Sequence, residues 1–215
     1  MTKDLRKRIF TSIILLFVLF LTFINNYILC YFLIIVGVLS LLDFFKINLI
    51  IFKKNIKKQL IFNLLFSIYI FAFCTLFLLF SLFFGLKVLI FIILITCMFS
   101  DVGGFIFGRI LKGPKLTKIS PKKTISGAIG SFVLSIIFLT TITYLTKNFD
   151  LKIVLIGILI SLGCQLGDLF FSFLKRKSLL KDTGNLLPGH GGVLDRIDGM
   201  LLGIPIGLLI FLITY

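Results

Sequence analysis

Apolar runs of about 20 residues, nearly free of charge, recur along the whole chain, and they leave few folds open. A helix of that length, rising about 1.5 Å per residue, crosses the roughly 30 Å hydrocarbon core of a bilayer with its backbone hydrogen bonds satisfied internally. The chain therefore reads as an all-α integral membrane protein. Seven segments stand out, at roughly 9–24, 27–45, 60–84, 87–108, 125–146, 151–172 and 191–214. The first is short for a span, and the third is long enough to tilt. Composition agrees, since 59% of the 215 residues are hydrophobic and the mean hydropathy is +1.19. Soluble domains sit near about 45–50% apolar, so a water-soluble core is excluded.

The formal net charge of +15 invites a nucleic-acid reading, but the placement of the 23 Lys and Arg residues argues against it. With the N-terminus in the cytoplasm and seven crossings, 20 of them fall inside: residues 3–8, 46–58, 109–123 and 175–181, plus Arg196. Only Lys87, Lys147 and Lys152 fall outside. This asymmetry is the positive-inside pattern, with some added attraction to anionic headgroups, and no nucleic-acid partner is expected. The basic start before the first apolar run resembles a signal peptide. No small-residue cleavage site follows it, and Asn25, Asn26 and Tyr27 lead into the next run, so a retained helical hairpin is expected. Cys30, Cys74, Cys97 and Cys164 lie inside apolar runs without CxxC spacing and read as packing residues.

Residues 1–85 form the N-terminal hydrophobic helices, and residues 86–215 the catalytic region of a single membrane domain. The first part is interrupted only by Asp43 and a Lys-rich stretch, 46–58, read as a solvated connector. The second holds most of the Gly and Asp. Gly104/Gly108, Gly163/Gly167 and Gly199/Gly203/Gly207 recur at four-residue spacing, which lets helix backbones approach closely in lipid.

Charge inside such a chain is costly, at about 2.5–3.5 kcal/mol for Asp, Lys or Arg at a bilayer centre. Its gathering in three patches is therefore informative. These are Ser100 to Gly104 with Gly108 and Arg109, the loop 112–127, and the stretch from Gln165 to Asp198. Asp195 and Asp198 lie three apart and share one face of a helix. With Asp168 from a neighbouring helix they make an all-oxygen, acidic pocket of the kind that hard cations such as Mg²⁺ prefer. Salt bridges to Lys175, Arg176 or Arg196 are the alternative reading. Lys122, Lys123, Lys175, Arg176 and Lys181 can neutralise several phosphates, or simply be solvated. Gly184, Gly189, Gly191 and Gly192 leave backbone N–H groups open to a phosphate. His190, the only histidine, sits in a glycine turn with little to pack against, and reads as a phosphate donor or proton shuttle. Together these features favour a nucleoside-triphosphate site.

The stretch Ser172-x-Leu174-Lys175-Arg176-x4-Lys181-Asp182-x-Gly184-x2-Leu187-Pro188-x-His190-Gly191-Gly192-Val193-x-Asp195-Arg196-Ile197-Asp198 resembles the signature of the phosphatidate cytidylyltransferases, also called CDP-diacylglycerol synthases. Asp101 to Gly104 with Gly108-Arg109, Ile119 to Thr124, and Gln165 to Asp168 are similar to the same family. The resemblance covers the C-terminal half. It implies an enzyme of phospholipid biosynthesis in a bacterial-type inner membrane, its site facing the cytoplasm. That enzyme joins CTP to phosphatidate and releases pyrophosphate, with Mg²⁺, K⁺ as a second cation, and a homodimeric assembly. Carried over by position, Asp168, Asp195 and Asp198 bind metal, with Lys175 and His190 also catalytic. Asp101, Arg109, Lys122, Lys123, Ser172, Arg176, Lys181, Asp182, Gly191, Gly192 and Arg196 bind substrate. Two positions depart from the family: Ser126 and Phe171 stand where it usually carries glutamate, a residue absent from this chain.

Rival classes leave different marks. A CTP-dependent lipid kinase needs a similar nucleotide site but transfers the γ-phosphate. The CDP-alcohol phosphotransferase pattern D-G-x2-A-R…G-x3-D-x3-D is absent. A transporter would place its charges near the midplane on broken helices, and a catalytically dead scaffold would be expected to lose the aspartates.

Overall fold

The computed structural model describes residues 3–180, 182–184 and 191–214, with side chains described from residue 10 onward. Seven helices follow in order: α1 (Lys3–Ile24), α2 (Asn26–Ile51), α3 (Ile56–Ser81), α4 (Phe84–Ile110), α5 (Ile125–Leu145), α6 (Lys152–Lys177) and α7 (Leu194–Thr214). Among the described residues there is no β-strand, and the all-α architecture expected from the apolar runs is present. Helices α2 to α7 are each long and apolar enough to cross a membrane. Among the described residues, the apolar part of α1 is Phe10–Ile24, about 22 Å of helix by the usual rise. Large apolar side chains such as Leu64 and Phe71 face outward, as a lipid-facing surface requires.

Caps set several boundaries. Asn25 opens α2 by accepting from Tyr27 N at 2.8 Å, Asn55 opens α3 through Lys58 N at 3.0 Å, and Thr124 opens α5 through Gly127 N at 3.1 Å. Helix α2 runs past the expected end near residue 45. Asn48 is buried and donates to Asn63 Oδ1 at 2.6 Å and to the Gln59 carbonyl at 3.2 Å, so a polar side chain joins α2 to α3 there. The connector expected over 46–58 contracts to residues 52–55.

The chain divides into two compact units, residues 1–87 with 174–197, and residues 88–173 with 198–215. The first unit thus combines the N-terminal helices with the end of α6 and the beginning of α7. Its core holds Leu29, Leu33, Ile47, Ile70 and Phe77, and Phe44 stacks on Phe66 with ring centroids 3.9 Å apart. In the second unit, small residues bring helices close. A Cβ on Gly103 would collide with the Gly130 carbonyl, and one on Gly167 would come within 2.5 Å of the Asp198 carbonyl. Cys97 and Cys164 are buried there, and all four cysteines are free thiols.

Candidate functional site

The first unit builds its polar centre from a helix end, a loop and a helix start. Helix α6 ends in a left-handed residue, Leu179 (φ 59°), with Leu180 N donating to the Lys175 carbonyl at 3.0 Å and Leu179 N to the Arg176 carbonyl at 3.1 Å. This is the Schellman arrangement, here without glycine, at a cost of about 1 kcal/mol. It fixes the backbone of Lys175, whose Nζ donates to Asp195 Oδ1 at 2.7 Å. Both side chains are largely buried, at 13% and 7% exposure, so this is an ion pair shielded from water.

The other Asp195 oxygen gathers the loop. Oδ2 accepts from Thr183 N at 2.8 Å, Thr183 Oγ1 at 3.0 Å and Gly192 N at 3.1 Å. One carboxylate in the first turn of α7 thereby ties together the two ends of the 183–192 segment. Gly191 takes φ +81°, a left-handed conformation that glycine adopts freely, and a Cβ there would press on Asp195 Oδ2.

Asp43 closes the same cluster from α2. It is fully buried. Its Oδ2 accepts from the Leu194 amide at 3.2 Å and from Thr183 Oγ1 at 3.1 Å. The single Thr183 hydroxyl proton is thus shared between Asp43 and Asp195. Asp43 Oδ1 is buried and has no hydrogen-bond partner among the described residues, an arrangement that costs about 1–3 kcal/mol or more. Asp43 and Thr183 had no role in the sequence reading of the site. The available signal was that Asp43 is the only acidic residue between Asp4 and Asp101, inside an apolar run where a carboxylate is expensive.

The second unit holds Asp168, Asp198 and the α4–α5 connection. Lys123 Nζ lies 2.5 Å from Asp168 Oδ2, and Ser172 Oγ donates to Oδ1 at 3.2 Å. The connection is a short hairpin in which Lys115 and Thr124 form an antiparallel bridge and Leu116 N donates to the Lys123 carbonyl at 2.8 Å. That pairing orients Lys123 toward α6, while Lys122 stays exposed. Asp198 is 9% exposed, and its Oδ1 accepts from Gly199 N at 2.9 Å. Gly167 packs on the backbone at Asp198, so the turns carrying Asp168 and Asp198 touch.

Of the other expected site residues, Asp101, Arg109, Arg176, Asp182 and Arg196 are exposed, and Arg109 lies over the Phe105 ring at 5.9 Å. Lys181 and His190 lie outside the described residues. Among the described residues no group of three or more His, Cys, Asp or Glu side chains is placed to hold one metal ion. Asp195 is engaged by Lys175 and by the loop, and Asp168 by Lys123, so lysine pairing is the arrangement found for both. The positions where the family usually carries glutamate have local work. Ser126 Oγ bonds Thr124 Oγ1 at 3.0 Å and the Lys112 carbonyl at 3.3 Å, and Phe171 is buried edge-on against Phe170.

A model of the cytidylyltransferase family matches residues 3–214. A phosphatidate cytidylyltransferase of Helicobacter pylori strain J99 is 43% identical over 113 residues, covering 52% of this chain and 42% of the relative. One from Staphylococcus saprophyticus is 40% identical over 125 residues, covering 57% and 48%. Another from Rickettsia bellii is 41% identical over 115 residues, covering 49% and 50%. The aligned part therefore spans about half the length of these curated relatives. With a family match that spans all seven described helices, this chain belongs to the cytidylyltransferase family.

Proposed function

We propose that the chain is a membrane phosphatidate cytidylyltransferase, which joins CTP to phosphatidate to form CDP-diacylglycerol and pyrophosphate. The observation that carries this reading is a Lys–Asp pair in each unit, Lys123 on Asp168 in one and Lys175 on Asp195 in the other, inside a chain of the cytidylyltransferase family. Phosphatidate supplies its own nucleophile, a phosphate oxygen already ionised at neutral pH. The obstacle is repulsion between that anion and the triphosphate. Lys122, Lys123, Lys175 and Arg176 offset the charge. Pyrophosphate then leaves in line.

The donor set suits Mg²⁺. Asp168 and Asp198 would hold the ion with carboxylate oxygens from two helix turns in contact, and Lys123 pairs with Asp168 beside them. When bound there, the ion would neutralise reacting phosphate oxygens. Turnover is expected to vanish in EDTA and to return when Mg²⁺ is added. Turnover persisting in thoroughly chelated membranes would contradict the cation requirement.

Purified protein given phosphatidate and CTP labelled at the α-phosphate should place the label in lipid, whereas label at the γ-phosphate should leave as pyrophosphate. Lipid labelled from the γ-position would identify a lipid kinase instead. The charge asymmetry further supports a cytoplasmic site in a bacterial inner membrane. Cysteines introduced at Lys54 or Lys118 should react with an impermeant maleimide only after cells are opened. A cysteine at Lys147 should react in intact cells. The reverse pattern would invert the orientation.

A further inference from the structure

We infer that Asp43 is a positioning residue of the catalytic loop: its carboxylate holds Thr183 and the first amide of α7 where Asp195 can grip the loop. Three observations converge on it. Its Oδ2 takes the Leu194 amide and the Thr183 hydroxyl, so it contacts the loop both before and after the 184–192 segment. Two glycines leave room for it, since a Cβ on Gly184 would come within 2.7 Å of Asp43 Oδ1 and one on Gly192 would strike Oδ2. Its Oδ1 is buried and has no hydrogen-bond partner among the described residues, so the carboxylate stays there at a cost to the fold. A residue that weakens the fold and, among the described residues, is bonded to the loop and the start of α7 is placed for the geometry of the site.

The role needs one oxygen at the Oδ2 position and no negative charge at Oδ1. Asn supplies this, because its side-chain oxygen can accept from both donors while its NH₂ takes the unpartnered place. Alanine removes both bonds and opens a small space without crowding either glycine. Thr183→Val removes the shared hydroxyl and keeps the Leu194 contact.

The kinetic arm of the test rests on the reaction proposed above, and the exchange arm does not. In wild type, Asp43→Ala, Asp43→Asn and Thr183→Val, kcat and the CTP KM are measured per folded protein. Hydrogen exchange is followed in the peptide covering residues 182–196. Asp43→Ala should lower kcat about 100-fold, the scale of a misplacement of about 1 Å. Its CTP KM should change less than about threefold, and its Leu194 amide should exchange faster. Asp43→Asn should restore kcat and protection together, with a melting temperature no lower than wild type. Thr183→Val should fall between the two, which keeps the test decisive if the alanine variant fails to fold. Wild-type kcat in both Asp43→Ala and Thr183→Val would overturn the inference. So would an asparagine variant as slow as alanine with its activity shifted to higher Mg²⁺, which would make Asp43 a cation ligand. An inactive wild type with normal exchange differences would sink the proposed reaction and leave the loop anchor standing.

Discussion

On the proposed cation site, the Asp198→Ala protein is expected to convert CTP about 1,000-fold more slowly than wild type, because losing an ion that clamps phosphate oxygens would remove several kcal/mol of transition-state stabilisation. Folding should change little. Asp198 is 9% exposed, and its Oδ1 accepts from the next amide in its own helix, a bond within the first turns of α7 that helical pairing can replace. A loss of about 1 kcal/mol would lower the melting temperature by about 2–4 °C in a chain of this size. The pattern to look for is a collapse of kcat with a nearly intact thermal transition in detergent. Wild-type turnover in this variant would remove Asp198 from the cation site.

Asp195→Ala should fail differently. Lys175 would lose its ion pair with Asp195 while remaining largely buried, and the amides of Thr183 and Gly192 would lose their common acceptor. Breaking a buried ion pair on one side costs about 3–5 kcal/mol. The expected result is a melting transition lowered by about 10 °C, together with at least a 100-fold loss of turnover from loop misplacement. Asp195→Asn keeps an oxygen for the loop donors but not the charge facing Lys175, and should recover more stability than activity. An Asp195→Ala variant that melts like wild type would show that the Lys175 pair carries no weight in the fold.

The contrast between these two variants also marks where sequence and structure part. Six spans were readable because each needs about 20 apolar residues, a requirement set by bilayer thickness. The end of α2 was not readable. Lys46 and Asn48 look like loop residues, yet Asn48 is buried against Asn63 one helix away. In the signature, the spacing of Asp195 and Asp198 correctly placed them one turn apart on a helix, but spacing does not say what each carboxylate is bonded to. The choice between a cation pocket and pairing with Lys175 was open in sequence. In the structure Asp195 bonds both Lys175 and the loop, contacts that spacing does not encode. Asp43 was least legible, because its partners Thr183 and Leu194 lie 140 and 151 residues away, and no local pattern encodes such a contact. The Lys123–Asp168 pair is non-local in the same way and depends on the Lys115–Thr124 bridge to turn the loop toward α6.

Pyrophosphate release from CTP on addition of phosphatidate, followed with purified wild-type and Asp198→Ala proteins in Mg²⁺, tests the account most directly. Wild type should release one pyrophosphate for each CDP-diacylglycerol formed, and the variant should release almost none over the same period. Equal release by both proteins, or release without the lipid product, would contradict it.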